Sequence, residues 1–271
     1  MRARLIFIIL LGPVLSFCQN GVNLFYNTVT SALGGSNVAY NSDLSGSINP
    51  ACMTWGKGLY ASLGAQRSFL IEDINQGNFD LAYRMKNGSA TGLQLYYFGN
   101  KVYNETMASL AYSVSLAEQT SLGLRLHGIR FSAPENDAAY AVTFTLGGQT
   151  MISPQLGVGL TTFNPVGFFR KGRPNDLTSN IRLGISYHPA EYLSLFLSGT
   201  LDDAHPMSVA GGIAYNVRQK VYIYFSAMAN PAVISVGIGI PLGRSFRVDL
   251  AGAQHLQLGL SPAFNLTYSE R

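Results

Sequence analysis

The chain has 271 residues, of which 12% are charged and 47% are hydrophobic, and its formal net charge is +4. The charged fraction is about half of that in a typical soluble domain, which argues against a surface fully exposed to water. Arg2 and Arg4 lie in the leader described next. Without them the chain has 16 basic and 14 acidic residues. So small an excess of positive charge does not indicate a nucleic acid as a binding partner.

Residues 1–18 have the pattern of a secretory signal peptide. Two arginines precede the apolar run 5–15, and small residues follow near the expected cleavage position after Cys18. The apolar run is too short to span about 30 Å of hydrocarbon. Lipidation at Cys18 is the alternative. Cleavage leaves Cys52 as a single cysteine, which excludes an internal disulfide in the exported chain.

From residue 57 to residue 271, apolar residues alternate with small or polar ones, which is the two-residue period of a β-strand. Leu193, Leu195 and Leu197 lie on one face of such a segment and alternate with Ser194, Phe196 and Ser198. The alternation alone fits a soluble sandwich or a membrane barrel. Export, many glycines and the number of segments favour the barrel, with the apolar face turned outward to lipid.

The alternation predicts an all-β fold, a transmembrane antiparallel β-barrel of about 14 strands. The predicted strands are 58–67, 78–85, 89–99, 106–116, 121–131, 139–148, 155–163, 180–188, 192–201, 207–217, 220–228, 233–240, 245–252 and 256–268. The connections 68–77 and 164–179 are the longer ones and are expected to face outside, whereas tight turns face the periplasm. The predicted location is therefore the outer membrane of a Gram-negative bacterium.

Residues 19–56 carry turn formers and no long alternation, and they are expected to form a plug inside the barrel. Their sequence ALGG-x-x-VA, followed by Asp43 and by Asn-Pro-Ala, resembles the opening of the PorV/PorQ proteins and of the wider FadL-like barrels. That resemblance implies fourteen strands and an opening segment folded into the lumen. The residues that carry it are Leu33, Gly34, Gly35, Asp43, Asn49, Pro50 and Ala51.

The resemblance implies two alternative functions. The preferred hypothesis is an accessory or scaffold component of a type IX secretion-like system, with secretion proteins as partners. The alternative is a FadL-like channel for hydrophobic small molecules, which requires apolar side chains along the lumen. The aromatic side chains predicted to point inward could line such a route, or they could pack against the plug while inward arginines pair with acids. They are Tyr96, Phe98, Phe196, Tyr222 and Tyr224.

An enzyme is a remote alternative. Asp202, Asp203 and His205 cluster in an outer connection, where a carboxylate beside an imidazole could activate water as in omptin-like surface proteases. Such a site needs a second acidic pair, for which Glu72 and Asp73 are the candidates. A solvated turn is the favoured interpretation, and no cofactor or metal is predicted because the remaining histidines are scattered.

The connection 164–179 contains Arg170, Lys171 and Arg173 after two phenylalanines. Cations at the outer rim are suited to the phosphates of lipopolysaccharide. We therefore consider lipopolysaccharide contact against the alternative of a hydrated loop, which is the favoured interpretation.

Overall fold

In a computed structural model, residues 24–133, 136–169, 177–203 and 205–270 are described, apart from the side chains of 136, 137 and 169. The predicted leader, 1–18, lies outside the described residues. The strands form one closed antiparallel barrel in which each strand pairs with its neighbours in sequence and β1 pairs with β14. The predicted fourteen-stranded barrel is confirmed.

The fourteen strands are β1 (Leu59–Arg67), β2 (Asn75–Arg84), β3 (Ser89–Gly99), β4 (Asn104–Ala117), β5 (Thr120–Ala133), β6 (Asn136–Ser153), β7 (Leu156–Phe163), β8 (Asn180–Ala190), β9 (Leu193–Asp202), β10 (Ser208–Val217), β11 (Val221–Ala229), β12 (Val233–Leu242), β13 (Phe246–His255) and β14 (Gly259–Ser269). The helices are α1 (Thr28–Ala32) and the 3-10 helices Asn37–Ala39, Asp43–Ser45, Pro50–Trp55, Ser68–Leu70 and Pro165–Phe169. None of these described helices is long and apolar enough to cross a membrane.

The largest difference from the predicted strand bounds is in β6, which extends beyond the predicted range 139–148 at both ends. Its ladder with β5 continues to the pair Ala133 and Asn136, and its other end pairs with β5 at Thr150. Pairing with β5 and, beyond Thr150, with β7 holds these ends in the sheet although the predicted alternation has ended. A strand can therefore extend beyond its hydrophobic pattern where its neighbours supply pairing partners.

The outer face of the barrel is apolar. Leu197 in the middle of β9 is 53% exposed, whereas its neighbours Phe196 and Ser198 are 5% and 4% exposed and point inward. Exposed aromatic side chains gather near the turns at one end of the barrel; among them are Tyr83, Tyr112, Tyr187, Tyr192, Tyr215 and Phe246. An aliphatic band bordered by aromatic residues is the outer surface of a barrel embedded in lipid. The chain therefore belongs in the outer membrane of a Gram-negative bacterium.

The connections differ in length between the two ends of the barrel. At the end where β1 begins, the turns between strands contain two to four residues, as at 118–119 and 191–192. At the opposite end, the connections include 68–74 and the long 164–179. Short turns face the periplasm in outer-membrane barrels, so we assign the first end to the periplasm.

Residues 24–58, here called the N-terminal segment, lie inside the barrel. Helix α1 packs against β11 to β14 and β1, and the Pro50–Trp55 helix packs against β2 to β6 on the opposite wall. Val29, Leu33 and Val38 of this segment are fully buried. The segment and the inward strand faces thus form the interior of the protein, while apolar strand faces surround it.

Candidate functional site

The N-terminal segment begins its path across the lumen with α1. The Asn27 side chain caps this helix by accepting a hydrogen bond from the Thr30 backbone N–H at 2.8 Å, and its amide donates to the Leu44 carbonyl at 2.7 Å. The chain then turns at Gly34 and Gly35, which both have positive φ. These two glycines end α1 after little more than one helical turn. The chain then runs toward β7 and β8.

The first half of the sequence motif lies on this turn. Leu33 is fully buried against Phe196 and Tyr224 of the wall, within one apolar cluster. Gly35 lies beside the guanidinium of Arg182, where a side chain would come within 3.4 Å of its Nη1. Residues 33–35 of the motif therefore let the segment pack closely against the wall, through the buried Leu33 side chain and through the absence of a side chain at Gly35.

The second half of the motif starts the Pro50–Trp55 helix. The Asn49 side chain accepts from the Ala51 N–H at 3.1 Å, and its amide donates to the Val38 and Gly148 carbonyls at 2.8 and 3.2 Å. Pro50 occupies the first helical position, where its missing N–H costs nothing. Asn49 thus caps a helix and ties two parts of the segment to β6.

Further polar side chains of the wall bind backbone carbonyls of the segment. The buried Arg125 guanidinium donates to the carbonyls of Gly46 and Ser47. Gln149 donates to the Ala39 carbonyl at 2.8 Å, and Ser186 donates to the same carbonyl at 2.9 Å. These bonds hold residues 39–51 against β5, β6 and β8.

Glycines on the inward strand faces let the segment approach the wall. A Cβ at Gly147 would lie 2.9 Å from Pro50 Cδ, and a Cβ at Gly237 would lie 2.7 Å from Ala32 Cβ. Distances this short require the backbone or its neighbour to move. Gly92, Gly123, Gly159, Gly184 and Gly212 meet the segment in the same way.

The predicted inward aromatics all point inward, but they lie in different surroundings. Phe196 and Tyr224 belong to the apolar cluster around Leu33, and Tyr222 packs against it. Tyr96 belongs to a second cluster with Phe25, and Phe98 packs at its edge. All five therefore belong to or pack against a cluster that includes residues of the N-terminal segment, and Phe98 also lines a cavity.

Two adjoining cavities lie on the extracellular side of α1. The first has about 310 Å³ and a largely apolar lining that includes Phe69, Ile74, Phe98, Val233 and Ala253. The second has about 360 Å³ and a polar lining that includes Asn27, Thr30, Asn180 and Arg182. Gln66 and Gln76, which face each other across β1 and β2, line both cavities.

A smaller cavity of about 150 Å³ lies on the periplasmic side of α1, between Leu44 and the wall of β11 to β14. Arg247 lines it, pairs with Asp249 at 3.0 Å, and lies over the Tyr222 ring at 5.2 Å. Asp43 accepts from the Ser269 hydroxyl at 2.9 Å, and burial raises the pKa of the Asp43 carboxyl. Arg247 fits the expectation that inward arginines pair with acids, whereas Arg125 binds carbonyls.

The residues of the protease hypothesis do not form a shared site among the described residues. His205 Nδ1 lies 3.2 Å from Asp202, but the His205 side chain is largely exposed. Asp203 accepts a hydrogen bond from the Ser179 N–H at 3.0 Å. Glu72 and Asp73 are exposed on the 68–74 connection. Within the described ranges there is also no group of three or more potential metal ligands.

The lipopolysaccharide hypothesis rests on Arg170, Lys171 and Arg173, which lie outside the described residues. The start of their connection is anchored in the barrel mouth. The Asn164 amide donates to the Leu177 carbonyl at 2.7 Å, and its Oδ1 accepts from Thr143 at 2.9 Å.

Sequence reasoning missed the residues that hold the segment in place. The inward glycines carried the relevant signal, because a glycine in phase with the polar face of a strand indicates close approach of another backbone. Gln149 and Ser186 gave no such signal. Their partner, the Ala39 carbonyl, is 110 and 147 residues away in sequence.

No family model matches the sequence, and no curated protein matches it. Solved structures do match. The Ralstonia pickettii toluene transporter TbuX has a TM-score of 0.70 at 11% identity over 91% of this chain and 98% of its own. The P. putida toluene transporter TodX has a TM-score of 0.69 at 11% identity over 91% and 99%. A Pseudomonas aeruginosa FadL homologue has 0.64 at 12% identity over 90% and 98%.

At these identities the likeness establishes the fold. The chain is a closed 14-stranded barrel of the kind found in FadL-like outer-membrane proteins. The fold that the resemblance to FadL-like barrels implied therefore agrees with the structure. The narrower resemblance to PorV/PorQ proteins has no support among these matches.

Proposed function

We propose that this protein is an outer-membrane channel for hydrophobic small molecules. The observation that carries the proposal is the apolar cavity beside Phe98. It has about 310 Å³, it lies inside the barrel on the extracellular side of the N-terminal segment, and Ile74, Val233 and Ala253 contribute to its lining. Cavities of about 300–1,000 Å³ with mostly apolar walls are typical sites for small ligands.

The position of this cavity supports uptake. The lumen of outer-membrane barrels is usually polar. An apolar cavity inside the lumen therefore calls for an explanation other than contact with water, and binding of a hydrophobic solute is one. The other FadL-like structures with which this chain shares its fold include proteins described as toluene transporters. The secretion-accessory role, preferred on sequence, stays a prediction that neither the fold nor the matched structures support.

The proposal is tested by Phe98→Gln, which places a polar amide in the apolar cavity. Tyr97→Gln is the matched control, because Tyr97 is the preceding residue of β3 and points outward. We expect Phe98→Gln to reduce uptake of a fluorescent hydrophobic probe into proteoliposomes at least fivefold, with unchanged amounts of folded barrel. The control should retain uptake.

Two results would count against the channel. One is wild-type uptake no faster than that of protein-free liposomes. The other is equal uptake by the two variants, since the cavity would then have no part in transport. Impaired secretion of other proteins in a deletion strain, together with absent probe uptake, would favour the scaffold instead.

A further inference from the structure

We infer that the solute leaves the barrel toward the periplasm along the inner face of β11 to β13, and that helix α1 is the element that moves to let it pass. This inference rests on the proposed channel function and names its exit. Tyr60, Tyr222 and Arg247 line the cavity at the end of this route.

The wall of the barrel gives no alternative exit among the described strands. The ladders that join β1, β2, β3 and β4 run from end to end without a register shift. The register shifts elsewhere, for example between Ser115 and Ala117, lie beside the turns. The part of β6 that extends beyond β7, before Thr145, lies at the extracellular end of the barrel. Toward the periplasm the ladders leave no opening between strands, so the route follows the barrel axis past the N-terminal segment.

The N-terminal segment is attached unequally to the two sides of the lumen. Residues 39–51 receive hydrogen bonds from Arg125, Gln149 and Ser186. In contrast, no hydrogen bond among the described residues joins the segment to β10, β11, β12 or β13, where α1 packs through apolar contacts. The hydrogen bonds of α1 and of its cap Asn27 go instead to Gln66 of β1 and to Asn37, Leu44 and Ser47 of the segment. The contact between α1 and β10 to β13 can therefore open without breaking a hydrogen bond to these strands.

The wall behind α1 also contains polar atoms that are buried without a hydrogen-bond partner among the described residues. They are the Thr28 hydroxyl on α1, the Tyr60 hydroxyl on β1, the Ser226 hydroxyl on β11, and Arg247 Nη2 and Asp249 Oδ1 on β13. A buried polar group that lacks a partner raises the free energy of the state in which it is buried. Water or a passing polar group can bind these atoms once α1 moves away.

The cavities inside the barrel are also larger beside α1 than beside the Pro50–Trp55 helix. On the periplasmic side of α1, the cavity next to Leu44 and Arg247 has about 150 Å³. The cavity between the Pro50–Trp55 helix and the wall near Gly92 has only about 20 Å³, which holds about one water molecule. On the extracellular side, Asn27 and Thr30 at α1 line the cavity of about 360 Å³. Helix α1 and its packing around Leu33 therefore separate two cavities that its displacement would join.

Thiol labelling tests the route without any transported solute. In a Cys52→Ser background, Ser226→Cys places a thiol behind α1, and Ser186→Cys places one behind the firmly attached residues. The two serines are matched, since they are 1% and 0% exposed. We expect a small cationic methanethiosulfonate reagent to label Ser226→Cys at least tenfold faster in the folded, liposome-embedded barrel. Equal rates for the two would overturn the inference.

Labelling is read only from protein with the heat-modifiable gel mobility of a folded barrel. If a variant fails to fold, hydrogen exchange of the wild type takes its place. Amides of α1 should then exchange at least tenfold faster than those of the Pro50–Trp55 helix, and equal protection of the two would overturn the inference.

Reversible crosslinks connect the movement to transport. Gly34→Cys with Ala210→Cys locks the turn that ends α1 to β10, and Gly88→Cys with Ser115→Cys joins a periplasmic turn to β4 as a control away from α1. The corresponding Cβ positions are 3.7 and 3.6 Å apart, which suits a disulfide. Oxidation of the first pair should abolish probe uptake, and a reductant should restore it. Oxidation of the second pair should change uptake less than twofold.

The outcomes separate this inference from the proposed function. If the wild type takes up no probe, the channel proposal fails, while the labelling ratio still decides whether α1 moves. If the wild type takes up the probe and the oxidised first pair does so equally well, the channel stands and the exit along α1 is wrong.

Discussion

At the scale of single residues, the absence of a side chain decides how the interior is filled. Adjacent glycines on β6 illustrate this. Gly147 points inward, where a Cβ would lie 2.9 Å from Pro50 Cδ, whereas Gly148 points outward, where the nearest atom is Leu122 Cδ2 at 3.5 Å. A side chain is therefore excluded by close packing at position 147, whereas position 148 has room for one.

We expect Gly147→Ala to destabilise the barrel by about 1–3 kcal/mol, because the added methyl group overpacks the contact with the Pro50–Trp55 helix. Gly148→Ala should stay within about 0.5 kcal/mol of the wild type, as is usual for substitutions away from the packed interior. Urea unfolding of the two refolded variants in liposomes measures the difference. Equal destabilisation would contradict the close packing of the segment on β6.

At the scale of elements, the strands carry two faces with opposite requirements. The outward face is aliphatic in its middle and aromatic near the turns, and the inward face combines small and polar residues with buried aromatic ones such as Phe196 and Tyr224. The inward face can be polar because the N-terminal segment offers backbone carbonyls as hydrogen-bond acceptors. Arg125, which donates to two of these carbonyls, shows how a buried charge is accommodated there.

The depth of an outward position should determine the cost of placing a charge there. Leu197 lies in the middle of β9, and Tyr192 lies in the turn before it; the two are 53% and 55% exposed. Leu197→Arg should cost about 2–4 kcal/mol and Tyr192→Arg about 0–1 kcal/mol, because only the first charge is forced into the middle of the hydrocarbon. Unfolding in lipid vesicles measures both, and similar costs would contradict the assigned lipid-facing band.

At the scale of the whole molecule, the barrel and its N-terminal segment have separable roles. Closure of the sheet depends on the ladder between β1 and β14, which the segment does not enter. The segment instead occupies the lumen between the extracellular cavities and the periplasmic one. The barrel is thus expected to form without the segment, but with an unobstructed lumen.

Deletion of 24–50 should therefore leave a barrel that inserts into membranes and conducts ions. Planar-bilayer recordings should show open channels at least tenfold more conductive than the full-length protein. The full-length protein refolded in parallel is the control. A deleted barrel that inserts but conducts no better would mean that side chains or connections of the barrel itself close the lumen.

The sequence by itself determined the strand number, the facing of each strand and the location of the protein. These depend on a local property, the two-residue period, which needs no knowledge of distant contacts. Strand ends were predicted less well, as in β6, because a ladder can continue through polar residues when the neighbouring strand supplies partners. The Asn-Pro-Ala motif also had a local signal, and its Asn49 caps the helix that follows it.

Only the tertiary structure decided what the interior contains. Arg125 reaches the carbonyl of Ser47 across 78 residues of sequence, and Asn49 reaches that of Gly148 across 99. Such pairs are set by how fourteen strands close into a ring, which no local period encodes. The cavities on the two sides of α1, and its weaker attachment to β10 through β13, follow from the same closure, because they depend on which strands face the segment across the lumen.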